Sequence, residues 1–286
     1  MTKGIPPQAP ASLKDAFDLS GRVAVITGGA GLLGIKHGEA LMELGAAVAL
    51  VDLDEARANA AAADLAKRIG GKAIGIGCNI TDEAAVVASA ARVTTELGAA
   101  NILVNNAANN PKVEGDGSGR NFSRLENFPL AAWNLDIAVG LTGSFLCSRV
   151  FGAEMAKAGK GVIVNIASDL GVMAPDQRLY RKDGLPEDQQ PVKPVTYSVV
   201  KAGLIGLTRY LATYWPDRGV RCNALVPGGV YAGQDEVFLG RVSNLIPMGR
   251  MAHQDEYKGA VAFLSSDASS YMNGAFLTVD GGRTVW

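Results

Sequence analysis

The chain has 286 residues, 48% of them hydrophobic, with 27 lysines and arginines against 28 acidic residues, a net charge of −1. That balance gives no overall pull on a phosphate backbone or an anionic membrane surface, so neither nucleic acid nor membrane is expected as a partner. The apolar fraction excludes disorder, and 35 glycines, about 12% against roughly 7% in average usage, point to tight turns and close backbone approaches. Cys78, Cys147 and Cys222 are too scattered for a disulfide framework or a zinc site. They are expected as buried thiols of a cytoplasmic protein, and no metal is expected.

Met1–Asp18 holds Pro6, Pro7 and Pro10 and lacks the apolar core of a signal peptide, so it reads as a flexible tail. No apolar run of eighteen residues is apparent, so no membrane span is expected. From Gly21 onward, short apolar runs alternate with helical patterns. Strands are predicted at Val23–Thr27, Ala47–Val51, Ala73–Cys78, Ile102–Asn105, Gly161–Ile166, Val220–Leu225 and Ala275–Val279. Helices are predicted at Leu32–Leu44, Glu55–Ile69, Asp82–Leu97, Pro129–Lys157, Thr196–Tyr214 and, as short pieces, through Asp255–Leu264. Two long irregular stretches, Asn106–Asn127 and Ser168–Pro194, interrupt this order. Continuous apolar strands between capped helices imply a parallel sheet covered on both faces. The fold class is therefore α/β: a single-domain, Rossmann-type, doubly wound sheet of seven parallel strands over residues 19–286.

Thr27-Gly28-Gly29-Ala30-Gly31-Leu32-Leu33-Gly34 joins the first strand to the first helix. Glycines there let a pyrophosphate approach the helix N-terminus, whose free N–H groups attract anions. Asp52, closing the second strand 21 residues after Gly31, can accept from ribose hydroxyls and repel a 2′-phosphate. The loop itself holds no Arg or Lys, and Leu53 follows Asp52, so NAD is expected over NADP. Asp54 is better placed than Asp52 to cap the next helix. Tyr197 and Lys201 share a helix face at i and i+4, and Ser168 follows the fifth strand, where such sheets build their sites. An unperturbed tyrosine titrates near 10, so serving as a base near neutrality needs roughly three units, about 4 kcal/mol, of phenolate stabilisation. An ammonium one turn away and a positive nicotinamide ring can contribute it.

With these pieces, Asn105-Asn106-Ala107-Ala108, Asn223-Ala224-Leu225-Val226-Pro227-Gly228 and Val279-Asp280-Gly281-Gly282 make the chain resemble a classical short-chain dehydrogenase/reductase from Leu19 to Gly282. The resemblance implies Tyr197 as general base, Lys201 holding the nicotinamide ribose and lowering the phenol's pKa, and Ser168 bonding the reacting oxygen. It also implies a cofactor site of Gly28, Gly31, Leu32, Leu33, Gly34, Asp52, Leu53, Asn79, Ile80, Asn106, Ala107, Ala108, Tyr197, Lys201, Pro227, Gly228 and Val230. A homotetramer or homodimer, built partly from the helices around Trp133 and Tyr197, is implied as well.

Several positions depart from the family pattern. The TGxxGxxG spacing is that of extended members, which include epimerases and dehydratases, although the C-terminal part matches the classical ending. Gly140 stands where the family has the proton-relay asparagine, and costs about 1 kcal/mol in a helix relative to alanine, so room for water, a kink or substrate is expected there. Asn79 replaces a common Asp, and Ala232 a common Thr, for which Gln234 can compensate. Between Ser168 and Tyr197 there are about sixteen extra residues. Within Met173–Pro194, Arg178 and Arg181 are expected either on a solvated flap or over the site against an anionic substrate group. Asn109, Asn110, Lys112, Arg120 and Arg124 offer a second polar wall, and two polar walls favour a hydroxylated substrate. The expected function is an NAD-dependent dehydrogenase of a sugar, sugar acid or polyol, with Asn109, Ser168, Arg178, Arg181 and Tyr197 meeting the substrate. Two rivals are an epimerase or dehydratase holding NAD tightly, and a weakly catalytic NAD-binding module.

Overall fold

A computed structural model describes residues 10–109 and 121–286. The seven strands form one parallel sheet, β1 (Val23–Thr27), β2 (Ala47–Asp52), β3 (Ala73–Gly77), β4 (Ile102–Asn105), β5 (Gly161–Ile166), β6 (Val220–Pro227) and β7 (Phe276–Val279). Their order is β3-β2-β1-β4-β5-β6-β7, the doubly wound arrangement expected from the sequence. The second and sixth strands run slightly further than expected, to Asp52 and Pro227.

Successive strand side chains point to opposite faces, and helices cover both. On one face, Ala24, Ile26, Val48, Leu50 and Val104 pack under α2 (Leu32–Glu43), α3 (Glu55–Ile69) and, later in the chain, α9 (Lys258–Ser265). On the other, Val23, Val25, Leu103 and Ile163 pack under α4 (Glu83–Glu96), α6 (Gly143–Ala158) and α7 (Val195–Tyr214). Burial on both faces explains why β1, β4 and β5 read as unbroken apolar runs.

Three segments differ from expectation. Within the stretch read as a flexible tail, Leu13–Phe17 forms a short helix, α1, capped by Ser12, with Ala16 buried; residues 1–9 lie outside the described residues. The long helix predicted before β5 is α5 (Leu130–Ile137), a π-helical turn at Ala138–Thr142, and α6. Taken together, Leu130–Ala158 is long and apolar enough to cross a membrane by length and composition, contrary to the expectation of no such run. In the fold it lies against the sheet through Leu146, Cys147, Phe151 and Met155.

The extra residues before α7 fold into short 3₁₀ turns at Gln177–Tyr180 and Glu187–Gln189. Gln190 staples them, donating to the carbonyls of Lys182 and Leu185 and accepting from Lys182 N. Leu179 inserts between Val242 and Ile246 beside α8 (Glu236–Ser243), so the segment is docked on the body of the protein.

Candidate active site

A cleft of about 800 Å³ runs along the carboxyl ends of the strands, where the strand order reverses between β1 and β4. One end is built by the glycine loop. Gly28 has φ +60°, a conformation only glycine adopts freely, and a Cβ on Gly34 would overlap the Gly28 carbonyl oxygen, so α2 seats tightly against β1. No side chain caps α2 at Gly31, which leaves that end of the helix open to an anion. Asn106 fixes the loop by donating from Nδ2 to the carbonyls of Thr27 and Gly28. At the tip of β2, Asp52 Oδ2 accepts from Ala30 N at 3.0 Å, while Asp54 caps α3 by accepting from Arg57 N, as the sequence indicates.

Of the residues expected around a cofactor, Gly28, Gly31, Leu32, Leu33, Asp52, Leu53, Asn79, Ile80, Asn106, Ala107, Ala108, Tyr197, Lys201, Pro227, Gly228 and Val230 all line this cleft. Gly34 does not; its part is the close contact beneath the loop. Asn79 turns its Oδ1 onto Thr81, accepting from both N and Oγ1. Gln234 spends its amide within its own loop, on Ala232 N and Val230 O. The residues fit an elongated nucleotide cofactor: a glycine cradle that a Cβ would fill, an uncapped helix end, and a carboxylate at the next strand tip.

The other end holds Ser168, Tyr197 and Lys201. Lys201 is buried and donates from Nζ to the Ile166 carbonyl at 2.7 Å, which holds the ammonium 5.8 Å from the centre of the Tyr197 ring. Burial pulls Lys201 down to about 8, with the nearby Lys193 charge adding to the effect. Tyr197 sits above its ordinary value because burial penalises the phenolate and outweighs the Ser168 hydroxyl beside it; the Asp169 carboxylate pushes the same way as burial. The expected lowering of this phenol by Lys201 is therefore not the dominant effect in the protein alone. Ser168 donates from Oγ to Asp169 Oδ1 at 2.7 Å and accepts from Leu170 N.

Gly140 proves to be a packing residue. A Cβ there would overlap Cγ1 of Val200, one residue before Lys201, so the glycine lets the π-helical turn sit close against α7. Of the features expected at this position, the break in helix geometry is the π turn itself, and a cavity of about 20 Å³, the size of a single water, is lined by Gly140 with Asp136, Tyr197 and Lys201. Nearby, the buried Asp136 accepts from Asn109 Nδ2 at 2.7 Å and from the Thr196 hydroxyl.

Arg178 and Arg181 do not reach the cleft. The Arg178 side chain is 81% exposed and pairs with Asp176 at 2.6 Å, and Arg181 pairs with Glu187. An i−2 carboxylate and a carboxylate six residues on capture the two guanidinium groups at the surface. Their neighbours Leu179 and Tyr180 face the cleft instead. Asn109 lines it, whereas Asn110, Lys112 and Arg120 lie outside the described residues; Arg124 bonds the Glu187 carbonyl.

Sequence reading gave no role to Lys193, Asp169 or Arg283, which also line the cleft. Lys193 Nζ stands 3.9 Å from the Tyr197 ring centre, and Asp169 Oδ2 lies 3.5 Å from Arg283 Nε, both side chains buried. Adjacency to Ser168 was the one available signal for Asp169. None pointed to Arg283.

Residues 22–180 match the family model described as short chain dehydrogenase, and residues 188–284 that described as Enoyl-(Acyl carrier protein) reductase. The chain belongs to the short-chain dehydrogenase family. It is 36% identical over 274 residues to the D-threitol dehydrogenase of Mycolicibacterium smegmatis, covering 94% of this chain and 95% of that one. It is 34% identical over 289 residues to the galactitol 2-dehydrogenase of Rhizobium johnstonii, covering 96% and 100%. Among solved structures it superposes with a TM-score of 0.83 on a gluconate 5-dehydrogenase from Burkholderia cenocepacia J2315 in complex with NADP and tartrate, 28% identical, covering 96% of this chain and 100% of that one.

Proposed function

We propose that this protein is an NAD-dependent dehydrogenase that interconverts a secondary alcohol and a ketone on a sugar, sugar acid or polyol, with Tyr197 as general base. The observation that carries the reading is the convergence of Ser168, Tyr197 and Lys201 at one end of a cleft whose other end is the glycine loop and Asp52. Relatives named for threitol, galactitol and gluconate support a polyhydroxylated substrate. The nicotinamide, when bound, supplies the two-electron acceptor.

The chain's own residues handle the oxygen and its proton. Ser168 holds the reacting oxygen; rotation about its Cβ–Oγ bond redirects the hydroxyl proton, now donated to Asp169 Oδ1, toward that oxygen. Tyr197 takes the hydroxyl proton. Lys201, anchored on Ile166 O, holds the cofactor ribose and keeps a positive charge near the phenolate that forms. Asp52 favours NAD by repelling a 2′-phosphate, and Arg57 of α3, which lines the same end of the cleft, is engaged with the Ala30 carbonyl at 3.1 Å.

The test is initial-rate measurement over sugars, polyols and sugar acids, with NAD and NADP in turn, for the wild type and Tyr197→Phe. The expected result is turnover favouring NAD that falls by about 10²–10⁴ in the variant, the usual worth of a positioned general base. Undiminished turnover by Tyr197→Phe would remove Tyr197 from the chemistry, and a preference for NADP would overturn the role given to Asp52.

A further inference from the structure

Lys193, Asp169 and Arg283 line the substrate end of the cleft, and the alcohol-oxidation reading leaves them without a task. Among the described residues Asp169 pairs with Arg283, and no carboxylate pairs with Lys193. Asp169 and Arg283 are buried together, about 5% exposed, at 3.5 Å. Among the described residues the Arg283 Nε has no hydrogen-bond acceptor, although it is shut away from solvent. Lys193 is half-buried over the Tyr197 ring, and among the described residues it has no carboxylate within ion-pair distance. With Lys201 and the buried Asp136 counted as well, the described residues of this corner carry three positive charges against two carboxylates, one more than they answer.

Burying unanswered cations is costly, and an anion that enters and bonds them removes the cost. Two remote segments bring them here, the insertion supplying Lys193 and the turn after β7 supplying Arg283. The insertion's other arginines are already answered at the surface by Asp176 and Glu187. A neutral polyol would leave the extra charge standing. A carboxylate suits both partners, taking a directed pair of bonds from a guanidinium and a point charge from an ammonium.

We propose that Lys193 and Arg283 form a carboxylate subsite, and that the substrate is a hydroxy acid of the sugar-acid class rather than a neutral polyol. This rests on the reading of Tyr197 as the base of an alcohol oxidation and names the substrate for it. Because Lys193 stands over the Tyr197 ring, the carboxylate lies a few bonds from the reacting hydroxyl.

Matched pairs that differ in one terminal group test it: gluconate against glucitol, and galactonate against galactitol. The readout is the ratio of kcat/KM for acid to that for polyol, in which any change in Tyr197 itself cancels. The wild type is expected to favour the acids by about tenfold or more, the scale of a hydrogen bond to a charged group. Lys193→Met should bring the ratio toward one, and Arg283→Lys, which keeps the charge opposite Asp169 but loses the fork, should lower it in part. Calorimetric binding of gluconate to cofactor-loaded Tyr197→Phe, with and without Lys193→Met, separates the two ideas. Lys193-dependent binding, alongside a wild type that oxidises neither class, would sustain the subsite and remove the dehydrogenase reading. A wild-type ratio of one or less, an unchanged ratio in Lys193→Met, or no gluconate binding would overturn the subsite.

Discussion

His37 lies on α2, fully buried, and neither ring nitrogen has a hydrogen-bond partner among the described residues. Burial holds it down to about 4, against 6.5 for a free imidazole. As pH falls through 6.5 the unfolded chain takes up a proton that the folded chain refuses until about 4. Stability is therefore lost with falling pH across that window, by on the order of 3 kcal/mol in full. His37→Leu is expected to be more stable than the wild type at pH 7, by about 1–3 kcal/mol from removing unpaired polar atoms. Its advantage should widen by roughly 2–3 kcal/mol on going to pH 4.5. Urea unfolding at the two values checks this; parallel losses in both proteins would mean that His37 is not the group that titrates. The same residue scale shows why Arg178 and Arg181 were misplaced. Residue type made them suited to an anion, but a surface carboxylate within six residues captures each. Lys193 has Glu187 and Asp188 within the same distance along the chain, yet it pairs with neither and stands in the cleft.

At the scale of the element, the π-helical turn Ala138–Thr142 joins α5 to α6 and brings Gly140 against Val200 of α7. Gly140→Ala removes a helix-interior glycine, a gain of about 1 kcal/mol, yet forces a methyl group into a valine on the helix that carries Tyr197 and Lys201. Overpacking of this kind costs about 1–3 kcal/mol, so the expected net effect is a lower Tm together with lower kcat. Adding Val200→Ala should recover part of the stability, with a coupling of about 0.5–3 kcal/mol in the double-mutant cycle. Independent losses would show that the two side chains do not compete for the same space. Helix propensity alone reads Gly140 as a local cost. The reason for it lies in a helix sixty residues later, which no local pattern contains.

For the whole molecule, α6 and α7 leave Phe145, Val199, Tyr210 and Tyr214 between 39% and 62% exposed in the single chain. Apolar side chains gathered on neighbouring helices mark a surface that another protein surface covers, and closed symmetric pairing is the commonest solution. Light scattering is expected to return two or four times 29.7 kDa, and Tyr210→Glu to shift the mass downward and make Tm depend on protein concentration. A wild-type mass of one chain would remove the oligomer.

The fold itself was legible from one dimension. β1, β4 and β5 are apolar throughout because both faces are covered, and Asp54 and Asp82 mark the starts of α3 and α4 by capping them. Every strand was therefore recognisable within a few residues. The cofactor end of the cleft was legible for the same reason: the glycine loop and Asp52 work through backbone geometry and spacing along two consecutive strands. The substrate end was not. Lys193, Asp169 and Arg283 meet through an insertion, a strand end and a C-terminal turn up to 114 residues apart. Periodicity and spacing determined which elements form and in what order. Which buried charges face one another, and which are left unanswered, was decided only when the chain packed, because burial and ion pairing depend on neighbours in space.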